Sequence, residues 1–266
     1  MVVEPRQSIK TYPQPVGACI YCGVRGNNIK LSREHIIPEG LGNGWILQQA
    51  SCRECARVTG TIIEMPVLRR MFGELRFHHG IRIKERKPRP QLYVRRGRWA
   101  YPVLASVDER PFGVVLPTFS DPDILTGSPP RQSNEWPGVI LFAHNERPKK
   151  FMAWANSHGA SRATMHAMCN VELFARMLAK IGHSFATAEI GYGNFRPLLP
   201  EFILGRVYNP QYLIGGRQDP LPAGENRHEL SWEIRKSLDG RSLIVVTIRL
   251  FSNLRFPVYY VVAGEP

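Results

Sequence analysis

Apolar residues recur at steps of three and four from Glu54 to about Phe77, at Val58, Ile62, Met65, Leu68 and Phe72, the spacing of one helix face. Pro66 falls inside this run. Proline has no N–H and its ring collides with the preceding turn, so the pattern predicts a kink, or a break into two helices, near Met65. A longer helical run covers residues 170–190, with Phe174, Leu178, Ile181, Phe185 and Ala188 on a single face. Asn170 can cap it and Gly191 stops it. Elsewhere the apolar runs are short: "YPVLASV", "FGVVLPTF" and "GVILFAH" read as strands separated by Pro, Gly and Asp clusters. Towards the end, "RSLIVVTIRLF" and "FPVYYVVAG" predict a hairpin joined through "SNLR". Residues 1–16 read as a proline-punctuated leader, 84–92 as a charged connector and 121–138 as a loop. There is no internal repeat and no low-complexity tract. The pattern is that of an α+β chain, with a small unit at residues 1–90 followed by a larger mixed α+β domain at 91–266.

Composition narrows the classes. The chain has 266 residues, 43% hydrophobic and 21% charged, which suits a water-soluble protein with ample core. No run approaches the roughly 20 apolar residues of a membrane span, and the first residues lack the apolar stretch of a secretory signal. A cytoplasmic location with no membrane association is therefore expected. In that compartment closely spaced cysteine pairs favour metal over disulfide.

The formal net charge of +13 is unevenly spread. Residues 1–99 carry 18 Lys and Arg against 7 Asp and Glu, whereas the remaining 167 residues carry 17 against 15. The densest stretch, residues 69–98, has eleven basic side chains and two acidic ones. Such a stripe is the footprint of a phosphate-backbone binder, because each neutralised phosphate releases counterions. Arg69, Arg70, Arg82, Lys84, Arg86, Lys87, Arg95, Arg96 and Arg98 are the candidate nucleic-acid contacts. DNA is the expected partner, with RNA open.

Four of the five cysteines form two pairs: Cys19 and Cys22 in "CIYCG", Cys52 and Cys55 in "SCRECA". A tetrahedral zinc site needs four ligands, and each Cys-x-x-Cys knuckle supplies two thiolates from one turn. Gly23 suits the turn after the first pair. Structural Zn²⁺ is thus expected, with Cys169 as an inert thiol.

Between the knuckles lies "SREHIIPEGLGNG", residues 32–44. An "EHIIP" motif bracketed by two Cys-x-x-Cys pairs resembles the HNH endonucleases, the ββα-metal nucleases, over about residues 17–65. That resemblance implies a zinc-stapled ββα unit in which His35 is the general base. It also implies that Glu34 helps hold a catalytic divalent metal, Mg²⁺ or Mn²⁺, against the scissile phosphate. The chain departs from the family pattern in two places. Where a central Asn often orients the base, the nearest amides are Gln48, Gln49 and Asn43. Where Asn or His commonly follows the second knuckle, the chain has Ala56, which binds no metal; Thr59, Glu64, His78 and His79 are the conceivable substitutes. Two functions follow: a metal-dependent endonuclease cleaving DNA, or a catalytically inactive zinc-ribbon protein that binds nucleic acid. The C-terminal part is expected to serve a protein partner or self-association. If "EHIIP" is a nuclease strand, plain alternation would send Glu34 and His35 to opposite faces, so an irregularity is expected there.

Overall fold

The computed structural model describes residues 11–26, 28–42, 44–81, 92–96, 99–103, 113–130, 138–143, 153–159, 169–217 and 221–266. Arg82, Lys84, Arg86, Lys87, Arg98 and Asn43 lie outside the described residues, as do the boundary at 90/91 and most of the leader and connector.

The N-terminal part is a three-stranded sheet and a helical run. Strand β1 (Thr11–Tyr12) lies parallel to β3 (Ile46–Ser51), which pairs antiparallel with β2 (Ser32–His35). Helix α1 (Arg53–Arg57) follows directly, completing strand, strand and helix in the expected ββα order. The β2–β3 ladder pairs Ser32 with Ser51 and Glu34 with Leu47, so its register shifts between residues 32 and 34. The extra residues lie on β3, where Gln49 adopts φ 48, as a bulge allows. The backbone carbonyls of Gln48, Gln49 and Ala50 accept from Val16, Gly17 and Ile20 at 2.8–3.1 Å. The irregularity thus sits immediately before Glu34, and the bulge holds the first cysteine loop against the sheet.

The helical run passes through Pro66 without breaking. It does so by widening over Val58–Glu64 and Val67–Met71, where N–H groups reach back five residues: Met65 to the Gly60 carbonyl, Phe72 to the Val67 carbonyl. This π-type register tolerates the missing proline donor without leaving helical geometry. The break expected near Met65 lies instead at Phe72 (φ −100, ψ 3), before helix α2 (Gly73–His78) resumes.

In the rest of the chain, β4 (Leu92–Arg96) pairs with β5 (Trp99–Val103), and β6 (Gly113–Thr118) with β7 (Gly138–Ala143). Helix α3 (Val171–Ile190) starts at Asn170, whose side chain accepts from the Leu173 N–H at 2.9 Å, and ends at Gly191 (φ 101). The C-terminal sheet runs β10 (His228–Lys236), β11 (Ser242–Leu250), β12 (Val258–Glu265), β8 (Arg196–Pro197), with β9 (Ile214–Arg217) also on β12. The expected hairpin is β11–β12. Strand β10, which is not among the strands predicted from sequence, carries the alternation of a strand at Leu230, Trp232 and Ile234, the last two exposed.

Helix α3 is not a one-faced surface helix. Residues 174–187 are buried on every side, including Arg176, Lys180, His183, Ser184 and Thr187. It lies between the C-terminal sheet and the N-terminal helical run. Phe174 contacts Tyr259 on one side (ring centroids 5.3 Å) and Phe72 on the other (6.1 Å). At Gly182 the helix backs directly onto β12: a Cβ there would lie 2.7 Å from Val261 Cγ1. One hydrophobic cluster joins residues of the zinc-knuckle region, α3 and the C-terminal sheet.

Two buried histidines fasten the N-terminal part. His183 Nε2 donates to the Ile20 carbonyl at 2.7 Å. His228 Nε2 donates to the Leu41 carbonyl at 3.0 Å while its Nδ1 accepts from the Phe251 N–H at 3.3 Å. That pattern requires a neutral ring, and burial lowers the His228 pKa to about 3. A histidine with a depressed folded pKa contributes stability above its unfolded value of about 6.5, lost as pH falls towards the folded value. His228→Gln keeps a donor for Leu41 but cannot titrate. Urea unfolding is expected to show a flatter loss of stability between pH 6.5 and 3 in this variant than in wild type; equal slopes would mean His228 is not the group titrating.

Candidate active site and metal centre

The four cysteine sulfurs lie within 4.8 Å of one another. Cys22 Sγ and Cys52 Sγ are 3.8 Å apart, the edge of a tetrahedron with bonds of about 2.3 Å to zinc. The turn is built for this: Gly23 takes φ 74 and donates to the Cys19 carbonyl at 2.8 Å. Cys52 stands at the start of α1 and Cys55 one turn in. Burial pushes the Cys19 and Cys55 thiols up. For Cys52 burial also raises the pKa but is outweighed by hydrogen bonds from Cys55 and the neighbouring sulfurs, and the net shift is down. A dication holding all four as thiolates resolves the burial cost. The donor set fits Zn²⁺ as a closed structural site.

Glu34 and His35 both line a cavity of about 640 Å³, together with Arg33, Glu39, Gly40, Gly42, Ala56, Thr59, Glu64, Arg69, Arg76, His79 and Arg227. Their surroundings differ. Glu34 is 5% exposed and its Oε1 lies 2.9 Å from Lys180 Nζ; Glu64 Oε1 is 2.8 Å from the same nitrogen. Lys180 is fully buried and also donates to the carbonyls of His35 and Ile36. The two carboxylates hold its pKa up against burial, which acts in the opposite sense. For Glu64, burial raises the pKa and Lys180 opposes it. Lys180 was not among the residues singled out from sequence, since it looks like one solvated charge in an amphipathic helix.

The His35 ring is half-buried. Its Nδ1 is shielded without a hydrogen-bond partner, which leaves Nε2 as the nitrogen open to the cavity. Burial lowers its pKa, with Lys180 and Arg33 acting in the same direction and Glu39 and Glu34 against. Among the described residues no side chain orients Nδ1; Gln49 is exposed on the bulge and Gln48 half-buried. Thr59 donates to the Ala56 carbonyl at 3.3 Å. His78 Nε2 lies 3.9 Å from Glu74. Arg69 and Arg70 are exposed on the widened helix. Arg95 and Arg96 fall on β4.

A catalytic divalent metal fits the cavity poorly. Among the described residues the cysteine set is the sole group of three or more Cys, His, Asp or Glu close enough to hold an ion. Glu34 and Glu64 face an ammonium, and Ala56 offers no ligand.

The hairpin with His35 at the end of its first strand runs into a short helix beside the four-cysteine cluster, a ββα order. The sequence comparison agrees: residues 19–72 match the model of the HNH endonuclease family, which bears out the resemblance for that segment. No curated protein and no solved structure matches the chain. Among the described residues no helix is long and apolar enough to cross a membrane.

Two outcomes are expected. Purified under reducing conditions, the protein carries one zinc per chain by elemental analysis, and Cys52→Ser loses both the zinc and the near-ultraviolet circular dichroism of the N-terminal aromatics; a zinc-free wild type contradicts the site. Lys180→Met leaves two buried carboxylates without a cation, which costs about 3–5 kcal/mol. A carboxyl whose folded pKa is raised stabilises below its unfolded value and loses that contribution as pH rises through the folded one. The stability gap to wild type is therefore expected to be widest near pH 7.5 and to shrink towards pH 5; a pH-independent gap would mean the carboxylates are not held by Lys180.

Proposed function

We propose that the protein is an endonuclease of the HNH type that hydrolyses phosphodiester bonds of DNA, with His35 as the general base. The observation that carries this reading is the neutral, accessible His35 imidazole opening into a cavity lined by four arginines, beside a zinc-stapled scaffold. A depressed pKa keeps His35 unprotonated at neutral pH, so Nε2 can take a proton from water as the water attacks phosphorus. Arginines around the cavity attract the substrate and offset charge developing on the phosphate. Zn²⁺ in the Cys₄ site supplies rigidity to the hairpin that carries His35. Mg²⁺ or Mn²⁺ at Glu34 would first have to displace the Lys180 ammonium, which holds that carboxylate. The charged stripe of residues 69–98 supplies backbone affinity, with RNA as the other candidate polymer. The location proposed is the cytoplasm. Trp232 and Ile234, exposed on edge strand β10, support a protein partner or self-association for the 91–266 domain.

A second reading is favoured by the same lysine. With Glu34 and Glu64 engaged and Ala56 in place of a ligand, the unit could bind nucleic acid without cutting it. Nicking of supercoiled plasmid with Mg²⁺, with Mn²⁺ and without added metal separates the two. For the nuclease, His35→Ala lowers the rate about 10²–10⁴-fold with zinc content and DNA affinity unchanged, and the acid limb of the wild-type rate profile falls below pH 6.5. Equal cleavage by His35→Ala removes the base assignment, and no cleavage by wild type under any condition leaves the binding protein.

A further inference from the structure

Among the described residues, one of the four arginines lining the cavity is buried without a counter-charge. Arg76, on α2, is 7% exposed and lines the cavity, yet its hydrogen bonding consists of Nη1 donating to the Leu68 carbonyl at 3.3 Å. Its Nε is buried with no partner, and among the described residues no carboxylate pairs with it. The charged neighbour that acts on it is Arg69, a like charge. Burial of an unpaired guanidinium costs stability, and proteins normally match such a group with an acid. Here the fold does the reverse and brings a second arginine close.

The loop opposite is shaped to admit guanidinium groups. "EGLG" places Gly40 against Arg76, where a Cβ would lie 3.2 Å from Nη2, and Gly42 against Arg227, where a Cβ would lie 2.2 Å from Nη1. Arg227 Nη1 also faces the Gly42 carbonyl at 3.4 Å. Of the carboxylates in the cavity, Glu34 and Glu64 are held by Lys180, and Glu39 is exposed on the loop. The two glycines therefore let a pair of guanidinium groups press against one turn from β-sheet and helix sides.

We propose that Arg76, flanked by Arg69 and Arg227, forms a phosphate-binding subsite in this cavity, distinct from the His35 position. Guanidinium groups bind phosphate through paired charge-assisted hydrogen bonds, and a bound phosphate would supply the counter-charge that Arg76 lacks. Its use for a non-scissile phosphate of the substrate backbone rests on the nuclease reading; the anion site itself does not.

The test uses the zinc-loaded full chain and inorganic phosphate, compared with chloride at matched ionic strength, read as the melting temperature. Ligand binding to the folded state raises that temperature, increasingly so as its concentration exceeds Kd. Wild type is expected to be stabilised by phosphate. Arg76→Met, which removes an unpaired buried charge while keeping an unbranched side chain, is expected to melt about 2–4 °C higher than wild type in chloride and to lose the phosphate increment. Arg76→Lys keeps the charge without the fork and is expected to bind phosphate roughly tenfold more weakly. An Arg76→Met that melts lower or does not fold, or one that keeps the full phosphate increment, overturns the subsite. These readouts are independent of plasmid nicking, so a protein that binds phosphate here but never cleaves would retain the subsite and lose the nuclease reading.

Discussion

A buried ammonium organises the molecule. Lys180 Nζ lies inside the core within 2.9 Å of Glu34 and 2.8 Å of Glu64, and it also donates to the backbone at His35 and Ile36. Each of those groups would be costly to bury alone, since an isolated charge in the interior is unfavourable by several kcal/mol. Together the ammonium, the two carboxyl groups and the two carbonyls supply one another's partners. The lysine comes from the central helix, Glu34 from the hairpin, and Glu64 from the widened helical run. The cluster therefore fixes three elements relative to one another at the edge of the cavity, and it aims the strand that presents His35.

The same cluster explains why this site differs from a plain metal-nuclease reading. A divalent cation and an ammonium compete for the same carboxylate oxygens. In an arrangement with a free acid and a further ligand after the second knuckle, the metal would have donors ready. Here Ala56 removes one donor and Lys180 engages two others. The positive charge around the cavity is supplied by protein side chains: one lysine behind the strand and four arginines in the lining. Electrostatic stabilisation of a phosphate is available from such groups, with the geometry set by helix packing.

Much of the scaffold was legible in the chain because it rests on local rules. Cysteine spacing, the glycine after the first knuckle, the cap at Asn170, the stop at Gly191 and the β11–β12 hairpin each depend on a few neighbouring residues. What was not legible depends on partners distant in sequence. Lys180 carries no local mark of burial, because its counter-charges are contributed from the first quarter of the chain. The full burial of α3 was hidden because a helix covered on both sides by different parts of the chain need not be apolar all round; Arg176, Lys180 and His183 Nε2 find partners in contacts no window reveals. The break at Phe72 in place of Met65 reflects a backbone that can widen its turns around a proline. Strand β10 does alternate Leu230, Trp232 and Ile234 with polar residues, but it buries little of that apolar face.

The central position of α3 also sets an order of assembly. Residues 19–55 contain all four cysteines of the cluster, so the knuckle can close on a short chain. The strand bearing His35 gains its lysine only from a helix some 145 residues further on, and that helix packs on strands still later in the chain. Closing so long a loop carries an entropic cost that only the finished core offsets. During synthesis on the ribosome the zinc clip would thus precede the site it supports. A truncated or still-growing chain would have its four cysteines together while lacking a formed cavity, so the cavity is withheld until the last strands are in place.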